Sequence, residues 1–586
     1  MRAGALTFSL LALAQSVLGD FAAQVPFGRP LRGEGEGRYQ FNREIKKVAI
    51  IGAGVGGIIS YRELTQAGFD VHLFERDNSP GGNWHYSDEV PLDAPIPNAD
   101  ASVGDYTPSL PPKGVKLPYS EEYTNVAKSQ LLQRSHRAPK PIWKSLTSNA
   151  PGPIQQVREL PWPAGTPWAL PNQKLQRYLR AFASWHGVNN NDDNPNVHYN
   201  TRVELVEKRY DSDGKDAGWT LTVKAVAPTE RGTVQATWDK QDFDGVIVAT
   251  GRYNAPNVPG IEGLKQWGER FPDKIQHSRQ YRVPEPFTNQ TVLVVGASTS
   301  GGEISRDIIK HVNKIYQSIR PSKSPIPERP QIDFLRRLPH NVTIVPEIRR
   351  FLPVGSNIRD GRVELVNGTI ISGIDRIIFA TGYRYTYPFL PQYHNSSLGL
   401  HDHAPPDAVQ PIVTDGSHLR SLYLDAFYIP DPTLTFINAN FGMQSFTYAE
   451  FVSLAIAKVW AGKADFPSTA ALWRNYDEVY RERKGYGRHF QFLGVERTKA
   501  GLRHFQGWLN DAAVKYGGRQ IDGLPAVNDQ ISAIWTRARF GTSGSIGINN
   551  VPDVDLGMDS FSSSGHPSSV DGSEPWVQDE VYNDYW

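Results

Sequence analysis

Three glycines and a glutamate near the start of the chain have the spacing of a dinucleotide-binding site. Gly52, Gly54 and Gly57 form G-x-G-x-x-G, and Glu75 follows eighteen residues after Gly57. The first glycine allows a tight turn, the second lets a pyrophosphate approach the backbone, and the third lets a helix pack closely on a strand. A carboxylate at the position of Glu75 accepts both hydroxyls of an adenosine ribose. An acid at this position favours an unphosphorylated ribose, as in FAD or NAD.

A second turn of the same kind occurs later in the chain and has the sequence Gly296-Ala-Ser298-Thr-Ser300-Gly301. Ser298 occupies the middle glycine position, where its hydroxyl can donate a hydrogen bond to a phosphate. The strand predicted after this turn ends at Arg320 and Lys323, which are basic. A fork of N–H donors suits a 2′-phosphate, so the second nucleotide is predicted to be NADPH. The alternative is that Arg320 and Lys323 are solvated surface charges.

Buried strands and helices are predicted around both turns. Val48–Ile51 is a short apolar run, typical of a parallel strand buried on both faces. The helix after the first turn presents free N–H groups and its positive dipole end to phosphate, and it is predicted to end near Gly68. Val71–Phe74 is the next strand, and Thr291–Val295 and Lys314–Ser318 repeat the arrangement at the second turn. This order predicts an α/β fold with two nucleotide sites.

The composition limits the classes of protein that remain. A chain of 586 residues exceeds one ordinary core, so two or more domains are expected. The formal net charge is +1, which gives no electrostatic reason to expect a nucleic-acid partner. The absence of cysteine excludes disulfides, thiolate metal sites and a dithiol flavoenzyme of the disulfide-reductase kind. No metal site is predicted.

Several segments resemble the flavin-containing monooxygenase family. Gly81-Gly82-Asn83-Trp84 resembles the G-G-x-W segment that follows the family's first turn, which implies that the first nucleotide is FAD. Ala249-Thr250-Gly251 resembles the crossing where the chain leaves the FAD domain, and its small residues allow a tight bend near the flavin. Phe379-Ala-Thr381-Gly382-Tyr383 resembles the F-A-T-G-Y box, where the chain returns to the flavin.

The resemblance also assigns residues beside the flavin. Asn149 lies in a Leu-x-x-Asn-x-Pro run, in which the family's asparagine helps to hold the oxygenated flavin. The alternative for Asn149 is a turn residue before Pro151. Gln444 to Glu450 would lie at the start of a helix whose N-terminus faces the isoalloxazine ring, a suitable place for negative charge on the reduced flavin.

A further segment, from Phe271 to Tyr281, resembles the family pattern F-x-G-x-x-x-H-x-x-x-[FYW]. His277 matches its histidine, and Asp273 replaces its glycine. His277 is a candidate catalytic residue, and a hinge or hydrogen-bonding role is the alternative. Tyr281 favours the branch of the family that oxygenates nitrogen or sulfur, because the Baeyer–Villiger branch usually carries tryptophan there.

The fold implied is α/β, with two doubly wound, Rossmann-like domains and a β-ribbon. The NADPH domain is predicted to be inserted into a split FAD domain. The predicted segments are a signal peptide (1–19), the first part of the FAD domain (45–267) with a surface insertion (87–141), the NADPH domain (268–372), the second part of the FAD domain (373–517) and a low-complexity tail (518–586).

The resemblance implies an FAD-dependent, NADPH-consuming monooxygenase, an oxidoreductase similar to N,N-dimethylaniline monooxygenase. A small-molecule substrate with a soft nucleophile, an amine nitrogen or thioether sulfur, would react with dioxygen through a C4a-hydroperoxyflavin. Baeyer–Villiger oxygenation of a ketone and an uncoupled NADPH oxidase are alternatives on the same fold. A non-catalytic flavin-binding protein, or a partner-binding protein that keeps the fold, is the alternative from another class, and the intact glycines of both turns argue against it.

Residues 1–19 indicate the cellular compartment of the protein. Arg2, the apolar run 5–14 and the small-residue exit before Asp20 resemble a cleavable secretory signal, too short to span a membrane comfortably. An uncleaved anchor is the alternative, and no later segment is apolar for long enough to cross a bilayer. Four N-x-[ST] sequons are compatible with secretory passage and glycosylation. We therefore expect a secreted or lumenal protein, and the resemblance makes a homodimer plausible.

Overall fold

The structure is a computed structural model, and it describes residues 37–92, 94–104, 106–320 and 338–521. The predicted signal peptide, Lys323 and the tail after residue 521 lie outside the described residues. The helices are α1 (Val55–Gln66), α2 (Val126–Arg137), α3 (Asn172–Trp185), α4 (Leu264–Arg270), α5 (Thr299–Ile308), α6 (Ser445–Trp460), α7 (Thr469–Glu482) and α8 (Gly494–Tyr516).

The strands are short, apart from three long ones between residues 201 and 243. They are β1 (Lys47–Ile51), β2 (Asp70–Phe74), β3 (Tyr119–Tyr123), β4 (Val197–His198), β5 (Thr201–Tyr210), β6 (Asp216–Pro228), β7 (Val234–Phe243), β8 (Gly245–Val248), β9 (Ala255–Pro256), β10 (Ile275–His277), β11 (Thr291–Val295), β12 (Lys314–Ser318), β13 (Thr343–Val345), β14 (Ile348–Phe351), β15 (Val363–Leu365), β16 (Ile370–Ile371), β17 (Arg376–Phe379), β18 (Tyr383–Arg384), β19 (Leu422–Tyr423), β20 (Phe427–Tyr428) and β21 (Leu434–Phe436).

The larger sheet contains the first glycine turn. Its strand order is β19-β20-β21-β8-β1-β2-β4, and the strands from β21 to β4 run parallel. Its core is closed by α1 and α6, which pack together so closely that the Ser60 and Ser453 hydroxyl oxygens are 2.9 Å apart. The strand order reverses at β1, which lies between β2 and β8. Ligands of such sheets bind in the crevice at the carboxyl ends of the two strands that flank this reversal.

A five-stranded parallel sheet contains the second glycine turn, in the order β10-β17-β11-β12-β13. Here the order reverses at β11, which lies between β12 and β17. The predicted α/β fold with two doubly wound sheets is confirmed. However, β17 belongs to this second sheet, so the sheet continues past the predicted boundary at residue 372. The F-A-T-G-Y box therefore begins in the smaller sheet and only then leads back towards the flavin.

The predicted ribbon is a four-stranded antiparallel sheet in the order β3-β7-β6-β5. Its first strand, β3, comes from within residues 87–141, which were predicted to be a surface excursion. The second half of this segment forms regular structure at the surface, because β3 pairs with β7 at the edge of the sheet and α2 follows directly. The pairing could not be read from the sequence, because β3 lacks apolar alternation and its partner is more than a hundred residues away.

The two crossings between the sheets are joined to each other. Strands β9 and β18 pair antiparallel, with Tyr383 opposite Pro256 and Arg384 opposite Ala255. This two-stranded connection fixes how the chain leaves and re-enters the larger sheet. Within the described ranges, no helix has both the length and the apolar character needed to cross a bilayer.

Candidate active site

One cavity of about 440 Å³ lies where the two nucleotide-binding sheets meet. It opens at the carboxyl ends of β1 and β8 and extends to the N-terminus of α5. The predicted site residues that line it are Gly52, Gly54, Glu75, Gly82, Asn83, Trp84, Asn149, Thr250, Gly251, Ser300 and Gln444. The structure therefore brings together most of the residues that the sequence predicted at the flavin, and one from the second turn.

The first glycine turn is packed too tightly to hold other side chains. A Cβ atom on Gly52 would lie 2.8 Å from the carbonyl oxygen of Ala249, and Gly52 has a φ of +106°. A Cβ atom on Gly57 would lie 1.8 Å from the carbonyl oxygen of Gly52. Gly57 thus holds α1 directly against the turn and does not itself line the cavity. The result is a helix N-terminus with free backbone N–H groups that point at the cavity.

The G-G-x-W segment covers this helix N-terminus from the other side. The Gly81 N–H donates to the carbonyl oxygen of Ala53 at 2.9 Å. A Cβ atom on Gly82 would lie 2.8 Å from the Gly54 Cα atom, so the two backbones are in contact. A phosphate chain can therefore lie along bare backbone at Gly54, as predicted for a pyrophosphate site.

Glu75 stands at the end of β2, as predicted, and its carboxylate is fixed by the backbone. Its Oε2 atom accepts from the Ala53 N–H at 2.7 Å, and its Oε1 atom accepts from the Asp77 N–H at 2.9 Å. The carboxylate thus spans the turn and the end of the strand. Each carboxylate oxygen keeps a further lone pair that a ribose hydroxyl can use.

Sequence analysis missed the cation beside this carboxylate. Lys140 comes from the end of the insertion, lines the cavity and is 7% exposed. Its Nζ atom lies 3.6 Å from Glu75 Oε1 and 3.5 Å from Asp77 Oδ2. Burial alone would raise the pKa of the Asp77 carboxyl, but Lys140, His85 and Arg137 hold it well below its usual value. No local signal marks Lys140, because its partners come from β2 through tertiary packing.

The second glycine turn repeats the geometry of the first. A Cβ atom on Gly296 would lie 2.6 Å from the carbonyl oxygen of Ala380, and one on Gly301 would lie 2.0 Å from the carbonyl oxygen of Gly296. Ser298, at the middle position, is buried, and its hydroxyl has no hydrogen-bond partner among the residues that the structure describes. The first turn of α5 lines the cavity with Thr299, Ser300 and Glu303.

Arg320 lies two residues after β12, as predicted for a 2′-phosphate site. Its side chain is 57% exposed, and its Nη2 atom lies 2.9 Å from Glu347 Oε1. Burial lowers the pKa of the neighbouring Arg488 guanidinium, and the positive charges of Arg320 and Arg252 lower it further. Arg320 does not line the cavity and is paired with Glu347, so its contact with a 2′-phosphate stays a prediction.

The flavin side of the cavity is formed by the first crossing and by the start of α6. Thr250 and Gly251 line it directly after β8. Gln444 is the N-cap of α6, and its side-chain oxygen is buried without a hydrogen-bond partner in the described part of the chain. Asn149 faces the same cavity from the segment before α3.

His277, Thr381 and Gly382 lie behind the cavity rather than on its wall. His277 is 2% exposed, and its pKa is lowered to about 3 by burial, with a smaller effect of Arg279. The ring is therefore neutral, accepting at Nδ1 from the Arg279 N–H at 3.2 Å and donating from Nε2 to the Gly382 carbonyl oxygen at 2.9 Å. This geometry places His277 away from the cavity wall in a hydrogen-bonding role, the alternative to a direct catalytic one.

The carbonyl groups of the second crossing are also occupied. The Thr381 carbonyl oxygen accepts from Asn257 Nδ2 at 3.1 Å and from Arg488 Nη2 at 3.1 Å. The Gly382 carbonyl oxygen accepts from the Asn257 N–H at 2.8 Å. Thr381 and Gly382 therefore bind the two crossings together, and their predicted contact with a cofactor is not supported by this geometry.

The residues present fit both predicted cofactors. The turn at Gly52–Gly57, the carboxylate of Glu75 and the unpartnered Gln444 side chain form a continuous receptor for the phosphates, ribose and ring of FAD. The turn at Gly296–Gly301 and the unpartnered Ser298 hydroxyl offer a second phosphate site. Bound NADPH would lie with its hydride donor end in the same cavity.

Comparisons with known proteins agree with this site. Residues 130–328 match the family described as "Flavin-binding monooxygenase-like", and residues 50–103 match the "NAD(P)-binding Rossmann-like domain". The chain is 54% identical over 497 residues to "Flavin-containing monooxygenase iboF" of Amanita muscaria, covering 82% of this chain and 91% of that protein. It is 30% identical over 473 residues to "Flavin-containing monooxygenase ustF2" of Aspergillus flavus, covering 78% and 90%.

A solved structure shows the same fold. That of S-allyl-L-cysteine S-oxygenase from Allium sativum aligns with a TM-score of 0.57 at 22% identity, over 84% of this chain and 93% of that one. The fold, the two glycine turns and the sequence relatives all indicate the same family. The chain belongs to the flavin-containing monooxygenase family, and it is an oxidoreductase with FAD and NADPH as its cofactors.

Proposed function

We propose that the protein transfers one oxygen atom from dioxygen to a soft nucleophile, an amine nitrogen or a thioether sulfur. NADPH and a proton supply the reducing equivalents, and the second oxygen atom leaves as water. The observation that carries the proposal is the shared cavity, since a nucleophile there can meet both the flavin edge at Gln444 and the nicotinamide site at α5. FAD supplies the oxygen-activating chemistry when it is bound and reduced, through the C4a-hydroperoxyflavin route that the family resemblance implies.

The protein's own residues bind, orient and exclude water in this proposal. Asn149 is a cavity-lining amide that can hydrogen-bond to the oxygenated ring, and the N-terminus of α6 favours negative charge on the reduced ring. No protein nucleophile is required, because the acceptor atom of the substrate is itself the nucleophile. His277, which is buried and neutral, acts only by holding the second crossing.

Product analysis tests this function. FAD-loaded protein supplied with NADPH and labelled dioxygen should convert a thioether to its sulfoxide, or an amine to its N-oxide, with one labelled oxygen per NADPH consumed. A matched cyclic ketone should stay unchanged. Lactone formation from the ketone would instead assign the Baeyer–Villiger reaction. Stoichiometric hydrogen peroxide without product would assign an oxidase, and protein that binds no FAD would leave only the non-catalytic alternative.

We further propose that the chain enters the secretory pathway as a glycoprotein. Its sequon residues Asn289, Asn341 and Asn367 are exposed and Asn395 is half-buried, which supports access by a glycosyltransferase. Endoglycosidase treatment of the protein from its native cells should increase its electrophoretic mobility. If the mobility is unchanged and residues 1–19 are still present in the isolated protein, the proposed secretory route is wrong.

A further inference from the structure

The charged residues that line the cavity differ in whether they have partners. Arg202 donates from Nε to Glu204 Oε1 at 2.9 Å, and Arg76 donates from Nη2 to Asn254 Oδ1 at 2.8 Å. Arg252 also lines the cavity, but within the described ranges no hydrogen bond or ion pair joins its guanidinium to another residue, and its Nε atom is buried. It is a cation at the site without a counterion.

Aromatic rings hold the Arg252 guanidinium in place. Its central carbon lies 4.0 Å from the centroid of the Phe441 ring, 5.1 Å from that of Tyr385 and 5.6 Å from that of Tyr253. Cation–π contacts of this kind fix the position of the group without using its N–H donors. The four donors of its two terminal nitrogens remain available to a ligand that lies in the plane of the guanidinium.

Arg252 lies close to the predicted position of the flavin. Arg252 follows Gly251 at the first crossing, and Phe441 is three residues before Gln444 at the start of α6. The guanidinium therefore lies on the wall of the flavin side. The neighbouring cation Arg488 adds to the positive potential there.

The dinucleotide phosphates already have donors elsewhere. The N-terminus of α1 and the bare backbone at Gly54 can receive the FAD pyrophosphate, and the N-terminus of α5 with the Ser298 hydroxyl can receive that of NADPH. Arg252 is therefore available to bind an anionic group of a third molecule, the substrate. A carboxylate is the small planar anion that an arginine fork binds with two parallel hydrogen bonds.

We propose that Arg252 is a carboxylate-binding subsite of the cavity, so that the substrate is a carboxylic acid that carries the oxidisable nitrogen or sulfur. This inference rests on the proposed function, because it names the class of substrate for the same site. Arg252 orients the substrate by its acid group and takes no part in the oxygen transfer. Neutral thioethers and amines of similar size are correspondingly poor ligands.

The test compares two ligands that differ by one charge. N-acetylmethionine and N-acetylmethioninamide share a thioether, and only the first has a carboxylate. Their binding to the oxidised, FAD-loaded protein with NADP⁺ is measured by calorimetry, without turnover. The wild-type protein should bind the acid at least about tenfold more tightly than the amide, as expected for charge-assisted hydrogen bonds.

Three variants complete the test. Arg252→Gln should remove the preference for the acid and leave amide binding, FAD content and NADP⁺ affinity unchanged, while Arg252→Lys should restore part of the preference. Arg359→Gln removes an exposed arginine outside the cavity and should behave as wild type. No preference in the wild-type protein, no measurable binding of the acid, or an equal loss for both ligands in Arg252→Gln would overturn the proposal.

Loss of FAD or of NADP⁺ affinity in Arg252→Gln would also overturn it, by assigning the guanidinium to a cofactor phosphate. Because binding is measured without turnover, failure of the proposed function has a different signature. In that case the acid would bind through Arg252, yet no sulfoxide would form when NADPH and dioxygen are added.

Discussion

Replacing Gly57 by alanine should weaken FAD binding while leaving most of the fold intact. The new Cβ atom would lie 1.8 Å from the carbonyl oxygen of Gly52, whereas real Cβ atoms essentially never approach closer than 3.0 Å. Helix α1 would therefore have to move by at least about 1.2 Å, the difference between these distances. That movement carries the N-terminal N–H groups of α1 away from the position of the pyrophosphate.

The size of the effect follows from the cost of the overlap. Overpacking at such a contact costs about 1–3 kcal/mol. Since a factor of ten in affinity corresponds to about 1.4 kcal/mol, FAD binding should weaken about 5- to 150-fold. Titration of the FAD-free protein with FAD, followed by flavin fluorescence, measures this change, and circular dichroism checks that the variant is folded.

Gly507→Ala is the matched control for Gly57→Ala. Gly507 lies within α8, and a Cβ atom there would meet nothing within 4 Å. Alanine is the better helix former, so this variant should be more stable by about 0.5–1 kcal/mol with unchanged FAD affinity. Wild-type FAD affinity in a folded Gly57→Ala protein would refute the assignment of this turn to the pyrophosphate.

The remaining predictions concern the second turn, the cation beside Glu75, the buried histidine and the asparagine at the flavin. Gly301→Ala should raise the NADPH concentration needed for half-maximal flavin reduction at least about tenfold, with unchanged FAD content, because a Cβ atom would lie 2.0 Å from the Gly296 carbonyl oxygen; unchanged reduction kinetics would contradict it. Lys140→Met should weaken FAD binding, because two buried carboxylates lose their shared cation; FAD titration gives the result, and wild-type affinity would contradict it. Burial holds the pKa of His277 at about 3, below the value of about 6.5 in an unfolded chain, so stability is lost as the pH falls below about 6.5. In His277→Gln the loss of unfolding free energy between about pH 6 and pH 4 should be smaller by up to about 1.4 kcal/mol per pH unit, measured from urea midpoints; an unchanged slope would contradict the buried neutral ring. Asn149→Leu should increase the hydrogen peroxide released per NADPH, whereas the surface variant Asn367→Leu should not; unchanged coupling would remove the proposed role of Asn149.

The elements that sequence patterns predicted well are those with local signals. Strands β11 and β12 begin and end at the predicted residues. Strand β11 is an apolar run followed directly by a glycine turn, as is typical of a buried parallel strand. Glu75 could be located by counting from Gly57. The start of α6 at Gln444 was also predictable, since the family resemblance covers that segment.

The features that sequence patterns missed depend on contacts between distant segments. Strand β3 has no apolar alternation of its own and exists because β7 offers an edge. Lys140 reaches Glu75 only through tertiary packing, in a segment that Arg137 also joins to Asp77. The two Ala-Thr-Gly segments look alike in the sequence, and only the sheet order shows that β17 pairs with β11. The missing counterion of Arg252 is likewise a property of the assembled cavity.

In the proposed function, NADPH-reduced flavin in this cavity reacts with dioxygen, and one oxygen atom passes to a soft nucleophile. Rapid-mixing absorbance tests this reaction most directly, with FAD-loaded protein lacking residues 1–19, reduced by NADPH and then mixed with dioxygen. We expect a long-lived near-ultraviolet band of oxygenated flavin that a thioether or amine discharges faster than a ketone does. Direct return to oxidised flavin with release of hydrogen peroxide, with no effect of either nucleophile, would contradict it.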